Sequence, residues 1–198
     1  VEDVVPRVGL TSDPAVGSDV WAVHDAVFGD QDDEASWRGN VWDRHAAREG
    51  FRVATAYAGE VLVGFAYGHT GERGQWFSDR LTEVLDDEVS RIWVGGHFEV
   101  VTLGVLEQHR GAGVGRRLLD ILTAGLPHER WLLQTTADPD EPARRLYAAA
   151  GWSVIGPGTG PGTVVMGFRR RPGSAPGCRD RSGAPRSPAR RSPRTGSP

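Results

Sequence analysis

A chain of 198 residues with 38% hydrophobic and 25% charged content is long enough to bury one packed core, and its length suits one domain better than two. No run of roughly 18 apolar residues is present to cross a bilayer, and the opening VEDVVPRVGL has neither the charged nor the apolar region of a secretory signal, so a cytoplasmic protein with no membrane partner is expected. The single Cys178 excludes an intrachain disulfide, and without a CxxC pair there is no cysteine-based zinc or redox site.

The net charge of -3 hides a division along the chain. All 23 basic residues are arginine, and nine of them, Arg169, Arg170, Arg171, Arg179, Arg181, Arg186, Arg190, Arg191 and Arg194, lie after residue 168 beside a single acid, Asp180. The stretch 169–198 holds no aromatic residue and no aliphatic one larger than alanine, so it cannot bury enough apolar area to offset the entropy of ordering it. It is expected to be a disordered Arg/Pro/Ser/Gly-rich tail whose only nucleic-acid contact would be weak and electrostatic. The remaining 1–168 is distinctly acidic and forms the expected domain.

In chain order, 4–10 reads as a strand, and 19–28 as a helix with Val20, Val23 and Val27 on one face. A second helix is expected over 35–49. Strands at 51–58 and 61–69, joined by Gly59 and Glu60, make an antiparallel hairpin. One helix is expected across 77–89, inserted between sheet strands. The strand 97–106 is apolar on both faces: Phe98, Val100, Thr102 and Leu106 alternate with Val101, Leu103 and Val105, as in a strand covered on both sides. Gly104 interrupts it, marking a bulge or a close approach by another group. The helix that follows presents Val114, Leu118, Ile121 and Leu122 to the sheet. A strand at 130–136 leads through ADPDEP to a helix over 142–150 with Ala143, Leu146, Tyr147 and Ala150 on one side, closed by Gly151. Strands at 152–155 and 163–168 finish the domain. This alternation points to an α/β or α+β fold.

The most informative stretch is EVVTLGVLEQHRGAGVGRRLLDIL, residues 99–122, in which an apolar strand runs into Arg110, Gly111, Ala112, Gly113, Val114 and Gly115 and then into an amphipathic helix. A glycine-rich turn at a helix N-terminus exposes backbone N–H groups where the macrodipole favours negative charge, so phosphate is the natural guest. Two other phosphate motifs fail. A P-loop needs lysine, which the chain lacks, and the dinucleotide fingerprint GxGxxG would need glycine where Arg116 stands.

The RxxGxG turn after an LxV strand, followed about 30 residues later by DPDEPARRLYAAAGW, resembles the GCN5-related N-acetyltransferase (GNAT) superfamily. The likeness is specific over 99–152. Asp140 stands where the family usually has Asn, and Trp152 where it usually has Phe. The resemblance implies a mixed, mostly antiparallel central sheet flanked by helices, with acetyl-CoA as co-substrate and no metal. It implies acetyl transfer directly to the amine of a small acceptor, for which the acidic domain suggests a cation. A non-catalytic acyl-CoA sensor and a protein acetyltransferase are the alternatives. The sequence leaves homodimer formation open.

By the same resemblance, backbone groups of Leu103, Gly104 and Val105 on a bulged strand would bind the thioester and its pantetheine arm. Those of Arg110 to Gly115 would hold the pyrophosphate, with Arg110 or Arg116 adding a charge-assisted contact. Asp140 would lie along the coenzyme arm. Tyr147 takes the family's place for the general acid that protonates the departing thiolate, unless its ring simply packs on the core. Glu99 matches a position used as base in some relatives, with His97 on the same face as the alternative. The other histidines, His24, His45, His69, His109 and His128, are dispersed without metal-binding spacing. Trp37, Trp42, Trp76 and Trp93, with Asp86, Asp87 and Glu88, fall where the family walls its acceptor pocket, although core packing and a solvated helix face explain them better.

Overall fold

Seven strands, β1 (Arg7–Thr11), β2 (Arg52–Ala58), β3 (Val61–Gly71), β4 (His97–Val105), β5 (Arg130–Thr136), β6 (Ser153–Pro157) and β7 (Thr163–Arg169), form one sheet in the order β1-β2-β3-β4-β5-β7-β6. The computed structural model describes residues 5–170. Every strand pair is antiparallel except β4 with β5. The β2–β3 hairpin turns at Gly59, whose φ of 63° is the left-handed conformation that glycine adopts without steric cost.

Helices α6 (Val114–Thr123) and α7 (Pro142–Ala149) cover one face. Val114, Leu118, Leu119 and Leu122 of α6 are buried there against Ala54, Ala66, Phe98 and Val100. On the other face, α1 (Gly17–Phe28), α2 (Glu34–Trp37) and α3 (Asp43–Ala46) cover β2 and β3, while α4 (Trp76–Val84) and α5 (Asp87–Trp93) cover Leu132 and Val165. No helix among the described residues is long and apolar enough to cross a membrane.

Four expectations need correction. The helix expected over 35–49 ends at Ala46 and carries a π-helical segment, Arg38–Trp42, between α2 and α3. Trp37 and Trp42, five residues apart, would diverge by about 140° on a regular α-helix. The wider turn brings both into the core, with ring centroids 5.1 Å apart. The helix expected over 77–89 is two helices, because Leu85 turns extended to bury its side chain and Asp86 then caps α5 by accepting from the Glu88 amide at 3.0 Å. Asp86, Asp87 and Glu88 thus belong to a helix start.

The bulge on β4 lies at Val101 rather than at Gly104, since Tyr67 faces Thr102 while Gly68 faces Val100. Gly104 pairs in register with Phe65, and a Cβ there would meet Phe28 and Phe65 ring carbons at 3.2 Å, so it is the close-approach glycine. The extra residue shifts the alternation: Phe98 and Val100 before it, and Leu103 and Val105 after it, share the α6 face. Finally, β7 runs to Arg169, and Arg170 donates from its amide to Glu129 and from its guanidinium to the Leu126 carbonyl at 2.7 Å. The packed domain therefore extends past residue 168. Residues 171–198 of the expected tail lie outside the described residues.

Candidate active site

The parallel pairing of β4 with β5 consists of Phe98 with Trp131 and Glu99 with Leu132. Beyond that point β5 pairs on its other side with β7 through Thr136, and β4 continues alone on this side through Val100–Val105. The two strands part at Glu99. The opening leaves one edge of β4 without a strand partner over Val100–Val105; the Arg110 side chain takes the Val105 carbonyl, and the other main-chain groups on that edge face the opening.

At the end of β4 a short 3-10 turn, Glu107–His109, leads into the glycine loop. Gly111 and Gly113 have φ of 77° and 75°, and Gly113 caps α6 with no side-chain hydrogen bond. The Arg110 amide donates to Glu107 and the Arg117 amide to Gly113, but among the described residues no backbone acceptor takes the amides of Gly111 to Arg116. Gly111, Ala112 and Gly113 are exposed. Uncapped amides at the positive end of a ten-residue helix fit a diphosphate. The two arginines are otherwise engaged. Arg110 Nε donates to the Val105 carbonyl at 2.9 Å and fastens the loop to β4. Arg116 pairs with Asp120 at 2.9 Å and reaches the Ala149 carbonyl at the end of α7. Asp140 is exposed ahead of α7, its amide donating to Asp138.

Glu99 and Tyr147 lie on opposite faces of the sheet. Between Phe98 and Val100, which point to α6, Glu99 points the other way, and it is 5% exposed with Oε2 unpartnered. Burial pushes its carboxyl up to about 7, with the Arg48 guanidinium opposing the shift. Tyr147, on α7, is buried beside Trp152 with ring centroids 6.2 Å apart, and the Schellman-type end of its helix, Trp152 N to Tyr147 O at 3.0 Å, fixes the turn behind it. Burial pushes its hydroxyl up to about 12, so it stays protonated at neutral pH. A carboxyl that exchanges its proton near neutrality and a phenol that keeps its proton are matched to base and acid work respectively.

His97 is fully buried, and Nδ1 accepts the Gly95 amide at 3.1 Å, which puts the ring proton on Nε2. Burial pushes it down to about 3, and its lone pair is already used. Its place is structural: a Cβ at Gly71 would fall 2.3 Å from Nε2, so glycine makes room for the ring. Of the tryptophans, Trp37 and Trp42 are core, Trp93 packs with α4 and α5, and Trp76 is exposed.

Sequence reasoning missed a polar group beside Glu99. Arg48 Nη1 lies 2.9 Å from His69 Nε2, His69 Nδ1 lies 3.1 Å from the Thr70 carbonyl, and His45 Nδ1 lies 3.2 Å from the Tyr67 hydroxyl. Tyr67 and His69 alternate onto one face of β3, and His69 is the cross-strand partner of Glu99. The alternation was readable. The register was not, because 25 residues separate β3 from β4.

The model of the acetyltransferase (GNAT) family matches residues 18–152. Over 102 residues the chain is 31% identical to a GCN5-like protein acetyltransferase of Mycobacterium tuberculosis, a match that takes in 48% of this chain and 49% of that protein, so it spans about half the length of that relative. An acetyltransferase from Thermus thermophilus superposes with a TM-score of 0.61 at 16% identity, covering 84% of this chain and 99% of that one. A GNAT-family acetyltransferase from Bacillus cereus gives 0.57 at 12% identity, covering 83% and 99%. At such identities the structural likeness speaks for the fold. Together with a family model that spans more than half of the sequence, it leads to one conclusion: this chain belongs to the GNAT family of acetyltransferases.

Proposed function

We propose that the chain transfers the acetyl group of acetyl-CoA directly to an amine, with Glu99 as base and Tyr147 as acid. Acetyl-CoA supplies an activated thioester. The amides of Gly111 to Arg116 bind its diphosphate and the open edge of β4 at Leu103, Gly104 and Val105 orients its arm, the loop's side chains playing little part. Glu99, directly or through water, takes the proton that the attacking ammonium must lose. The amine nitrogen bonds to the acetyl carbon, the carbon–sulfur bond breaks, and Tyr147 gives its proton to the departing thiolate.

The observation that carries this reading is the coincidence of three features: the parting of β4 from β5, the uncapped glycine turn beside it, and a buried carboxyl of near-neutral pKa at the point of parting. The surplus of acids in 1–168 favours a small cationic amine in the cytoplasm. A protein acceptor is the second reading, because the Mycobacterium tuberculosis relative is named a protein acetyltransferase. The test is acetyl-CoA-dependent thiol release across a panel of polyamines, other small amines and lysine peptides. Turnover with one class and its collapse in Tyr147→Phe support the proposal. Coenzyme binding with no turnover on any amine would instead indicate an acyl-CoA sensor.

A further inference from the structure

Acetyl transfer needs a base at Glu99, but nothing in that chemistry requires the arginine and histidine beside it. His69 and Glu99 are directly paired across β3 and β4, which sets their side chains on one face about 5 Å apart at Cβ. Arg48 follows α3 and reaches in from the helical layer to His69 Nε2 at 2.9 Å. A guanidinium can only donate, so Nε2 accepts. The ring proton then sits on Nδ1 and is donated to the Thr70 carbonyl at 3.1 Å. His69 is thus held neutral in one tautomer, fixed at both nitrogens.

A half-buried arginine usually finds a carboxylate. Among the described residues none lies within salt-bridge distance of Arg48, which therefore keeps its whole charge while being held in place. Arg48 is the charged group that acts on Glu99, while Asp30 acts on Tyr67, Arg130 on His97, and Glu49 and Glu72 on His128. Burial holds His97 and His69 down to about 3 and His45 to about 4, all neutral, while Tyr67 is pushed up and stays protonated. His128, beside Thr70, is also pushed down by burial, and β5 presents Leu132 opposite Glu99.

We propose that Arg48, anchored on His69 in place of a carboxylate, is the counter-charge that favours the ionised form of the buried Glu99 carboxyl, with His69 as a positioning residue that acts through it. The inference rests on the reading of Glu99 as base. A salt-bridging carboxylate on Arg48 would cancel the charge that Glu99 needs, whereas a neutral imidazole acceptor fixes the guanidinium and leaves that charge in place.

The full chain labelled with carboxyl-13C glutamate reads the Glu99 titration directly, its resonance assigned by its loss in Glu99→Gln. In Arg48→Gln the midpoint is expected to rise by about one pH unit, the acidic limb of kcat/KM moving with it, so that activity at pH 6 falls roughly ten-fold relative to wild type. Arg48→Lys restores the charge and recovers part of the shift. His69→Phe removes the anchor and moves the midpoint in the same direction; Arg48→Gln, at a half-exposed position, decides the matter if His69→Phe does not fold. An unmoved Glu99 midpoint in folded Arg48→Gln overturns the inference. An acidic limb that survives in Glu99→Gln overturns the base reading instead, and the carboxyl titration still decides the role of Arg48.

Discussion

At the residue scale, Glu99 carries opposing consequences for activity and stability. Its carboxyl is raised from 4.5 to about 7 in the fold, so relative to the protonated form the stability it contributes is intact below about 4.5 and is lost as pH rises to about 7. Above that pH the fold bears a penalty on the order of 3 kcal/mol for an ionised group buried without a hydrogen bond at Oε2. Glu99→Gln is therefore expected to lower kcat/KM by about 100-fold or more while raising Tm at pH 8, the gain vanishing by pH 4.5. Thermal melts across that range, run beside the kinetics, check both halves. Tyr147→Phe separates from it. Coenzyme affinity is expected to hold while kcat falls by about 100-fold, because the acid acts on the leaving group and not on the bound diphosphate.

At the element scale, the loop between β4 and α6 depends on backbone conformation more than on side chains. No atom lies within 4 Å of a Cβ placed on Gly111 or Gly113, so Gly113→Ala meets no clash and bears only the left-handed strain of about 1–2 kcal/mol. Relief of that strain by re-forming the turn would move the amides of α6. Gly113→Ala is thus expected to weaken coenzyme binding at least ten-fold with a small drop in Tm, measurable by calorimetric titration with CoA and by thermal melts. Gly68 gives the contrasting case. There a Cβ would fall 2.2 Å from the Glu99 carbonyl and 2.7 Å from the Phe98 ring. Gly68→Ala is expected to lower Tm far more than Gly113→Ala, because β3 cannot lie against the bulge of β4 without shifting it.

At the scale of the whole molecule, the described residues 5–170 contain every group assigned to the site, and the last of them helps to close the fold. Truncation after Arg170 is expected to leave CoA affinity unchanged, whereas truncation after Phe168 removes the Arg170 bonds to Glu129 and Leu126 and is expected to lower Tm. Much of this architecture was legible beforehand. The β2–β3 hairpin, the apolar face of α6, the limits of β5 and the glycine behind α7 follow from periodicity and turn chemistry, which are local. The π-turn, the split between α4 and α5 and the bulge at Val101 were not. Each is a place where packing, of Trp37 on Trp42, of Leu85 into the core and of β4 against β3, overrides the regular period.

The order of residues along the chain marked the turn proposed to bind phosphate, since a run of glycines entering a helix exposes amides whatever surrounds it. It also determined which carboxyl and which phenol were candidates for the chemistry. Only the tertiary structure decided their protonation states and their company. The pKa of Glu99 depends on burial and on an arginine 51 positions earlier, and that arginine on a histidine of a neighbouring strand. Such effects act through space, at a register that no local pattern records.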